Sequence, residues 1–195
     1  MKADIRSARL EFLRYRKTAE DVPTPINLER GARLALEIGD LQSSKHFQSL
    51  ARRQVHLHPD SFSQMELHNL NGDVALASGD SDDAIQEQRS ALAFRIWYTP
   101  LFSLGQACEK KKDWSCAIKA YKQYLDFEGA ILRDDAGEDW VVAYHALARS
   151  YFGSGDVASG QIYDRKFLIL FSSADSDLPI LAQAKKGATL RGSAH

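Results

Sequence analysis

Apolar residues recur along most of this chain at intervals of three and four, the spacing that lines one face of an α-helix. The clearest stretch begins near Met65, where Leu67, Leu70, Val74 and Ala75 fall at helical spacing. It stops at Ser78-Gly79-Asp80, glycine being the residue that enters the left-handed conformation most cheaply. Asp80 or Ser81 then caps a second helix whose apolar stripe is Ala84, Ile85, Ala91 and Leu92. Gly72 leaves a bare spot, and a small Ala84 facing it would let the two helices cross tightly. No stretch alternates apolar and polar residues for long enough to suggest a sheet.

The ending recurs. Gly39-Asp40, Gly79-Asp80, Lys112-Asp113 and Gly155-Asp156 each close a helical run with a small or polar residue and then an aspartate. Leu104-Gly105, Cys108, Asp113, Ala117 and Tyr124 repeat Asn71-Gly72, Ala75, Asp80, Ala84 and Ala91 at an offset of 33 residues. Leu147-Ala148, Tyr151, Gly155-Asp156, Gly160 and Phe167 repeat them again after a further 43. The extra residues fit between Gly129 and Asp139, where Asp134-Asp135-Ala136-Gly137 carries turn signals. An earlier, weaker copy has Ala32, Ala35, Ile38 and Gly39-Asp40, with Ser44 at the small position and Pro59 closing a long second helix. The pattern predicts an all-α chain forming a single domain over residues 1–195. Its helices are a lone one at 3–19, hairpins at about 25–58, 62–96, 99–128 and 139–171, and a capping helix at 178–190. Stacked hairpins of this kind work by offering a surface.

Composition adds little and excludes more. Hydrophobic residues at 44% and charged residues at 26% are ordinary for a globular protein. A formal net charge of -1 gives no general attraction to nucleic acid or acidic lipid, so neither is expected as a partner. Charge is uneven locally: Arg6, Arg9, Arg14, Arg16 and Lys17 are basic, as are Lys110, Lys111 and Lys112, with Asp73, Asp80, Asp82, Asp83 and Glu87 between. Solvated faces are the expected account of these clusters, with docking of an oppositely charged segment as the alternative. Cys108 and Cys116, on successive helices among apolar neighbours, read as buried free thiols of a reducing compartment. No apolar run reaches the length of a membrane span and no signal peptide precedes the first helix, so a soluble, cytoplasmic protein is expected. The polar tail Arg191-Gly192-Ser193-Ala194-His195 reads as a frayed end.

Counted from Met65, Tyr98 and Val141, the eighth residues are Gly72, Gly105 and Ala148, and the twentieth are Ala84, Ala117 and Gly160. The twenty-seventh are Ala91, Tyr124 and Phe167. This set resembles the tetratricopeptide repeat, although His68, Leu101 and Tyr144 stand where that family usually has a tryptophan. The resemblance implies a right-handed α-α superhelix of hairpins with capping helices at both ends. A narrower likeness covers about residues 98–190. Leu104-Gly105-Gln106-Ala107, Glu138-Asp139, Leu147-Ala148-Arg149-Ser150-Tyr151, Gly155-Asp156 and Ala174-Asp175-Ser176-Asp177-Leu178-Pro179-Ile180-Leu181 resemble the carboxy-terminal repeats of bacterial, especially acidobacterial, serine/threonine kinases of the eukaryotic type and related regulators. Those repeats imply a sensory or protein-docking role. Kinase activity does not carry over, because the glycine-rich loop, the His-Arg-Asp and the Asp-Phe-Gly are all missing.

The same resemblance places the first helix of each hairpin on a concave side. Its groove positions correspond here to Asn69, Asp73 and Leu76, then Phe102, Gln106, Glu109 and Lys110, then Val142, His145, Arg149 and Phe152. The weaker copy adds Glu29, Arg33 and Glu37. Such a lining suits a protein or peptide partner. Asn69, Gln106 and Arg149 could instead bond across neighbouring helices and hold the curve, and Phe102, Tyr144 and Phe152 could be core. Trp97, Trp114 and Trp140 fall near hairpin junctions and are expected to fill gaps there. Self-association through a flank or end helix, giving a homodimer, is the alternative function.

Catalysis, cofactors and metals are not expected. His56 and His58 lie two apart, a spacing that does not bring side chains together on a helix. His145 and Arg149 share a face without a nucleophile beside them. Ser173, Asp175 and Asp177 lack the rest of a calcium loop and read as the turn before the last helix.

Overall fold

The computed structural model describes residues 5–134, 137–172 and 178–189, with side chains from residue 9 onward and without those of 137–139. Every regular element among them is helical. The chain divides into two compact units, Lys2–Ile96 and Trp97–His195. The first contains α1 (Ile5–Asp21), α2 (Pro25–Glu37), α3 (Leu41–Leu57), α4 (Ser61–Ala77) and α5 (Ser81–Phe94). The second contains α6 (Tyr98–Lys110), α7 (Trp114–Leu125), α8 (Glu128–Arg133), α9 (Gly137–Gly153), α10 (Val157–Leu170) and α11 (Pro179–Ala188). Helices α2 and α3, α4 and α5, α6 and α7, and α9 and α10 pack as hairpins.

One device makes all four hairpin turns. Gly39, Gly79 and Gly155 have φ of 75°, 90° and 88°, and Lys112 takes the same left-handed conformation at 58°. That conformation turns the next amide back onto the helix. Asp40 N–H donates to Ala35 O, Asp80 to Ala75, Asp113 to Cys108 and Asp156 to Tyr151, at 2.8 to 3.0 Å. Each bond satisfies a carbonyl the helix end leaves open. The aspartate carboxylate then caps the following helix, accepting from Ser43, Asp83, Cys116 and Ser159 N–H at 2.9 to 3.1 Å. Asp80, not Ser81, is therefore the cap of α5. These hydrogen bonds hold the Asp40 and Asp156 carboxyls below the ordinary range, Ser43 supplying most of the effect for the first and Ser159 for the second. Lys112 alone carries a Cβ into this conformation, which costs about 1 kcal/mol. Lys112→Gly is accordingly expected to stabilise the chain by about 0.5–1 kcal/mol in chemical denaturation; no gain would show that the turn relaxes around the lysine.

Packing within the hairpins differs from expectation at Gly72. A Cβ there would meet the Gln88 side chain at 2.5 Å, so Gln88, not Ala84, covers the bare spot. The Tyr121 ring lies over Gly105 in the same way, and a Cβ on Gly31 would meet the Phe47 ring at 3.2 Å. Each covering residue comes sixteen positions later, on the outgoing helix. Gly160 faces the Phe152 ring.

The terminal helices cover hairpin edges within their own units. Phe12 and Ala19 of α1 are buried, Phe12 edge-on to Phe47 at 6.3 Å. Leu181, Ala184 and Gly187 bury one face of α11 against α9 and α10. Trp114 packs on Gly153, Trp97 on Phe127 at 6.0 Å and Trp140 on Tyr144 at 5.2 Å. Part of the stretch expected as linker is α8, whose Ile131 is fully buried and whose end is tied back by Tyr98 O–H donating to Asp134 at 2.9 Å. Asp135 and Ala136, the centre of the expected turn, lie outside the described residues, as do Ser173, Asp175 and Asp177, the Ala174–Asp177 stretch, and the tail after Thr189.

Cys108 and Cys116 are a disulfide, which corrects the expectation of free thiols. The Lys112-Asp113 turn brings their Cα atoms to 5.8 Å, inside bonding reach, although they sit on different helices. The argument from free thiols to a reducing compartment falls with it. Closing so short a loop stabilises by up to about 2 kcal/mol. Adding a reductant should lower the unfolding free energy by that order while leaving the helical circular dichroism signal intact, because the turn's own hydrogen bonds remain.

Candidate functional site

Residues on the incoming helices form two polar clusters, one in each unit. In the first, α2 supplies Glu29 and Arg33 one turn apart, and α4 supplies Glu66, Asn69 and Asp73 on one face. Arg33 pairs with Glu29 and, at 2.9 Å, with Asp73. Burial alone would lower its guanidinium, but Asp73 and Glu29 more than offset this and hold it protonated. Asp73 also accepts from Gln88 Nε2 at 3.1 Å, and the same nitrogen donates to Asn69 O at 3.0 Å. Gln88 thus covers Gly72 and ties α5 to this face in one stroke.

Glu29 and Asp73 pair with this guanidinium, and the third carboxylate, Glu66, feels its charge without pairing. The consequence falls on Glu66, whose carboxyl is pushed up to about 7 by burial, then by Glu29, with Asp73 adding and Arg33 opposing. Above its unfolded value of 4.5 the unfolded chain releases a proton that the folded chain still holds. The resulting cost is absent below about pH 4.5, grows up to about 7 and is complete beyond. Glu66→Gln should therefore stabilise the protein by about 1–2 kcal/mol at pH 8 and leave stability unchanged at pH 4. Urea denaturation at the two pH values checks the sign, and an equal gain at both would exclude ionisation as the cause.

The second cluster is an ordered chain of bonds. Tyr121 O–H, on α7, donates to Glu109 on α6 at 2.6 Å. Arg149, on α9, donates to both oxygens of the same carboxylate at 3.2 and 2.9 Å. Burial and the adjacent Glu109 push the Tyr121 phenol far above its usual range, so it remains a donor. Arg149 is thus committed to bonding across neighbouring hairpins. Gln106 and Lys110, one turn apart on the same helix as Glu109, are exposed. Phe102 lies against Tyr121 and Tyr124 at 5.7 and 5.1 Å, and Phe152 lies against Gly160 and Gly187, so both rings are packing residues.

His145 is placed differently from expectation: it is 2% exposed, inside the second unit. Its Nδ1 is 2.6 Å from a carboxylate oxygen of Asp164, which is itself wholly buried. Asn69 is likewise fully buried beneath the first cluster. Of the groove positions expected on the later hairpins, Gln106, Lys110 and Arg149 are exposed, Asp73, Phe102, Glu109 and Phe152 are partly so, and Asn69 and His145 are buried. The clusters also depend on Glu66, Gln88, Tyr121 and Asp164, which sequence reasoning does not single out. Glu66 holds the second position counted from Met65, a groove position by the resemblance, so its signal is present in the sequence. The other three lie on outgoing helices, where no groove rule points.

Among the described residues, no three His, Cys, Asp or Glu side chains are grouped to hold a metal. His56 and His58 are exposed near the end of α3. No described helix is long and apolar enough to cross a membrane.

No protein-family model matches the sequence, and no curated protein matches it either. Solved structures do resemble the fold. A thermophilic TPR protein of Thermus thermophilus superposes with a TM-score of 0.70 at 16% identity, over 94% of this chain and 91% of that one. BtubC (BKLC) from P. vanneervenii gives 0.64 at 17%, over 94% and 80%. The nearly identical TPR-like repeats of a Podosopora anserina kinesin light chain give 0.64 at 16%, over 85% of both chains. These likenesses show the fold: an all-α hairpin repeat of the TPR-like, α-solenoid kind.

Proposed function

We propose that this chain is a non-catalytic interaction module that takes a peptide or partner domain on the polar face of its incoming helices. The observation that carries this reading is the exposure of Gln106 and Lys110 beside a Glu109–Arg149 bridge that already fixes the surface around them. Neither side chain is needed for packing, and both flank a rigid platform, which lowers the ordering cost of binding. Residues 1–195 act as one functional domain in this proposal. Its narrower form, a sensory or docking part in bacterial kinase-type signalling, rests on Leu104-Gly105-Gln106-Ala107 and Leu147-Ala148-Arg149-Ser150-Tyr151. A cytoplasmic location belongs to the same narrower form and draws nothing from the cysteines.

A peptide array probed with the intact chain and with a Gln106→Ala/Lys110→Ala variant tests this. Selective capture weakened at least tenfold by the variant supports the reading; equal capture removes this face from it. Self-association is the second reading, favoured by Ile162 and Ile169 of α10, which are 51% and 71% exposed. Sedimentation over a concentration range decides it, since a monomer throughout would remove the scaffold.

A further inference from the structure

We propose that the Cys108–Cys116 disulfide is a thiol-exchange site, opened in the folded chain by an anionic low-molecular-weight thiol that attacks the sulfur of Cys116. The pair lies within the second unit and clasps the end of α6 to the first turn of α7. Its two halves differ in access. Cys108 has no exposure, whereas Cys116 is partly exposed and follows an exposed turn, Lys111-Lys112-Asp113. Exchange needs a sulfur that an external thiolate can reach, and of these two only Cys116 offers one.

The clasp is also separable from the hairpin it spans. Asp113 N–H donates to Cys108 O and Lys112 N–H to Glu109 O, both at 2.9 Å, and neither bond uses a sulfur. Breaking the disulfide therefore removes a covalent tie while the turn around it persists, which is the condition for exchange without unfolding. In the first step the incoming thiolate bonds to Cys116 Sγ, the bond between the two cysteines breaks, and its electron pair leaves on Cys108, which takes up a proton. A second thiolate attacks the external sulfur of the mixed disulfide and releases Cys116, which is protonated in turn. Two small thiols become one disulfide, and the chain gains their two electrons and two protons.

Charge around Cys116 selects the thiol. Cys116 is the third residue of α7, where the helix dipole favours a negative group. Lys110 and Lys112 precede it, and Lys119 stands one turn after it on α7. Lys119 also lines an open cavity of about 570 Å³ with Ser115, Lys122 and Gln123. The opposing charges are Asp113, whose carboxylate accepts from Cys116 N–H at 3.1 Å, and Asp126 in the cavity wall. Glu109 is balanced by Arg149. The lysines outnumber the aspartates, so a peptide thiol bearing carboxylates is drawn in and a thiol bearing only an ammonium is not.

The test incubates the intact, folded chain with reduced glutathione, quenches with N-ethylmaleimide at intervals and maps the adducts by peptide mass. Early samples should carry glutathione on Cys116 and maleimide on Cys108. Each thiol's rate is scaled by its rate on a small-molecule disulfide. At low salt glutathione should then open the bond about threefold or more faster than cysteamine, a cationic thiol, and salt should erase the difference. Lys119→Gln/Lys122→Gln should still open at Cys116 and lose that preference. Glutathione on Cys108, or opening no faster than global unfolding under the same conditions, overturns the exchange site. Equal scaled rates for the two thiols, or a preference unchanged in the lysine variant, overturn the anionic thiol as its reactant.

Discussion

Replacing His145 with alanine is expected to lower the unfolding free energy by about 3–5 kcal/mol, the largest single effect anticipated in this chain. The imidazole is 2% exposed and its Nδ1 lies 2.6 Å from Asp164, a carboxylate with no exposure at all. Phe167 packs beside the ring at 5.4 Å, and Gly187 of α11 lies directly on Asp164. Among the described residues, Asp164 Oδ2 has no hydrogen-bond donor. Truncating the histidine therefore strands a buried carboxylate beside a new cavity, and both effects act in the same direction. Asp164→Asn, which keeps the shape and removes the charge, should cost only about 1–2 kcal/mol. His145→Phe with Asp164→Leu should cost less than His145→Ala, because a matched apolar pair needs no proton donor. Since Gly187 contacts Asp164, amide exchange in α11 should accelerate first. Urea denaturation of the variants decides the matter, and a loss below about 1 kcal/mol for His145→Ala would mean that water reaches the carboxylate.

The turns are legible in the sequence because their causes are local. A left-handed φ selects glycine, and the capping carboxylate must come from the next residue, so Gly-Asp announces both helix ends at once. Lys112 is readable only through the aspartate that follows it. The side chains that complete the hairpins are not legible, because they act at long range and through packing. Gln88, Tyr121 and Asp164 are a neutral amide, a phenol and an acid at comparable places on their outgoing helices, with no shared residue type to mark a common role. The cysteine pair is hidden for a related reason: the two helices differ, and only the turn geometry shows that the two Cα atoms meet. His145 illustrates the limit of a family's positional rule. It occupies a groove position by count, yet its hydrogen bond to Asp164 draws it inside. Helix α8 stays hidden because Gly129 reads as a turn signal, whereas the buried Ile131 is what fixes that segment.

Gly105→Ala should destabilise by about 2–3 kcal/mol although alanine is the better helix former by roughly 1 kcal/mol. A methyl at this position would overlap the ring of Tyr121, which is fully buried. The ring is also held at its far end by the hydrogen bond to Glu109, and Glu109 in turn by Arg149. Displacing the ring therefore strains three helices, α6, α7 and α9, through one methyl group. Gly72→Ala is the internal control, since the group it meets is the flexible amide of Gln88. Its steric cost is expected to be nearly offset by the gain in helix propensity, for a net change within about 1 kcal/mol. Combining Gly105→Ala with Tyr121→Leu tests the mechanism directly. If the clash is the cause, the double variant is more stable than the sum of the single losses by about 1 kcal/mol or more. Strict additivity would instead place the cost of Gly105→Ala in the backbone of α6.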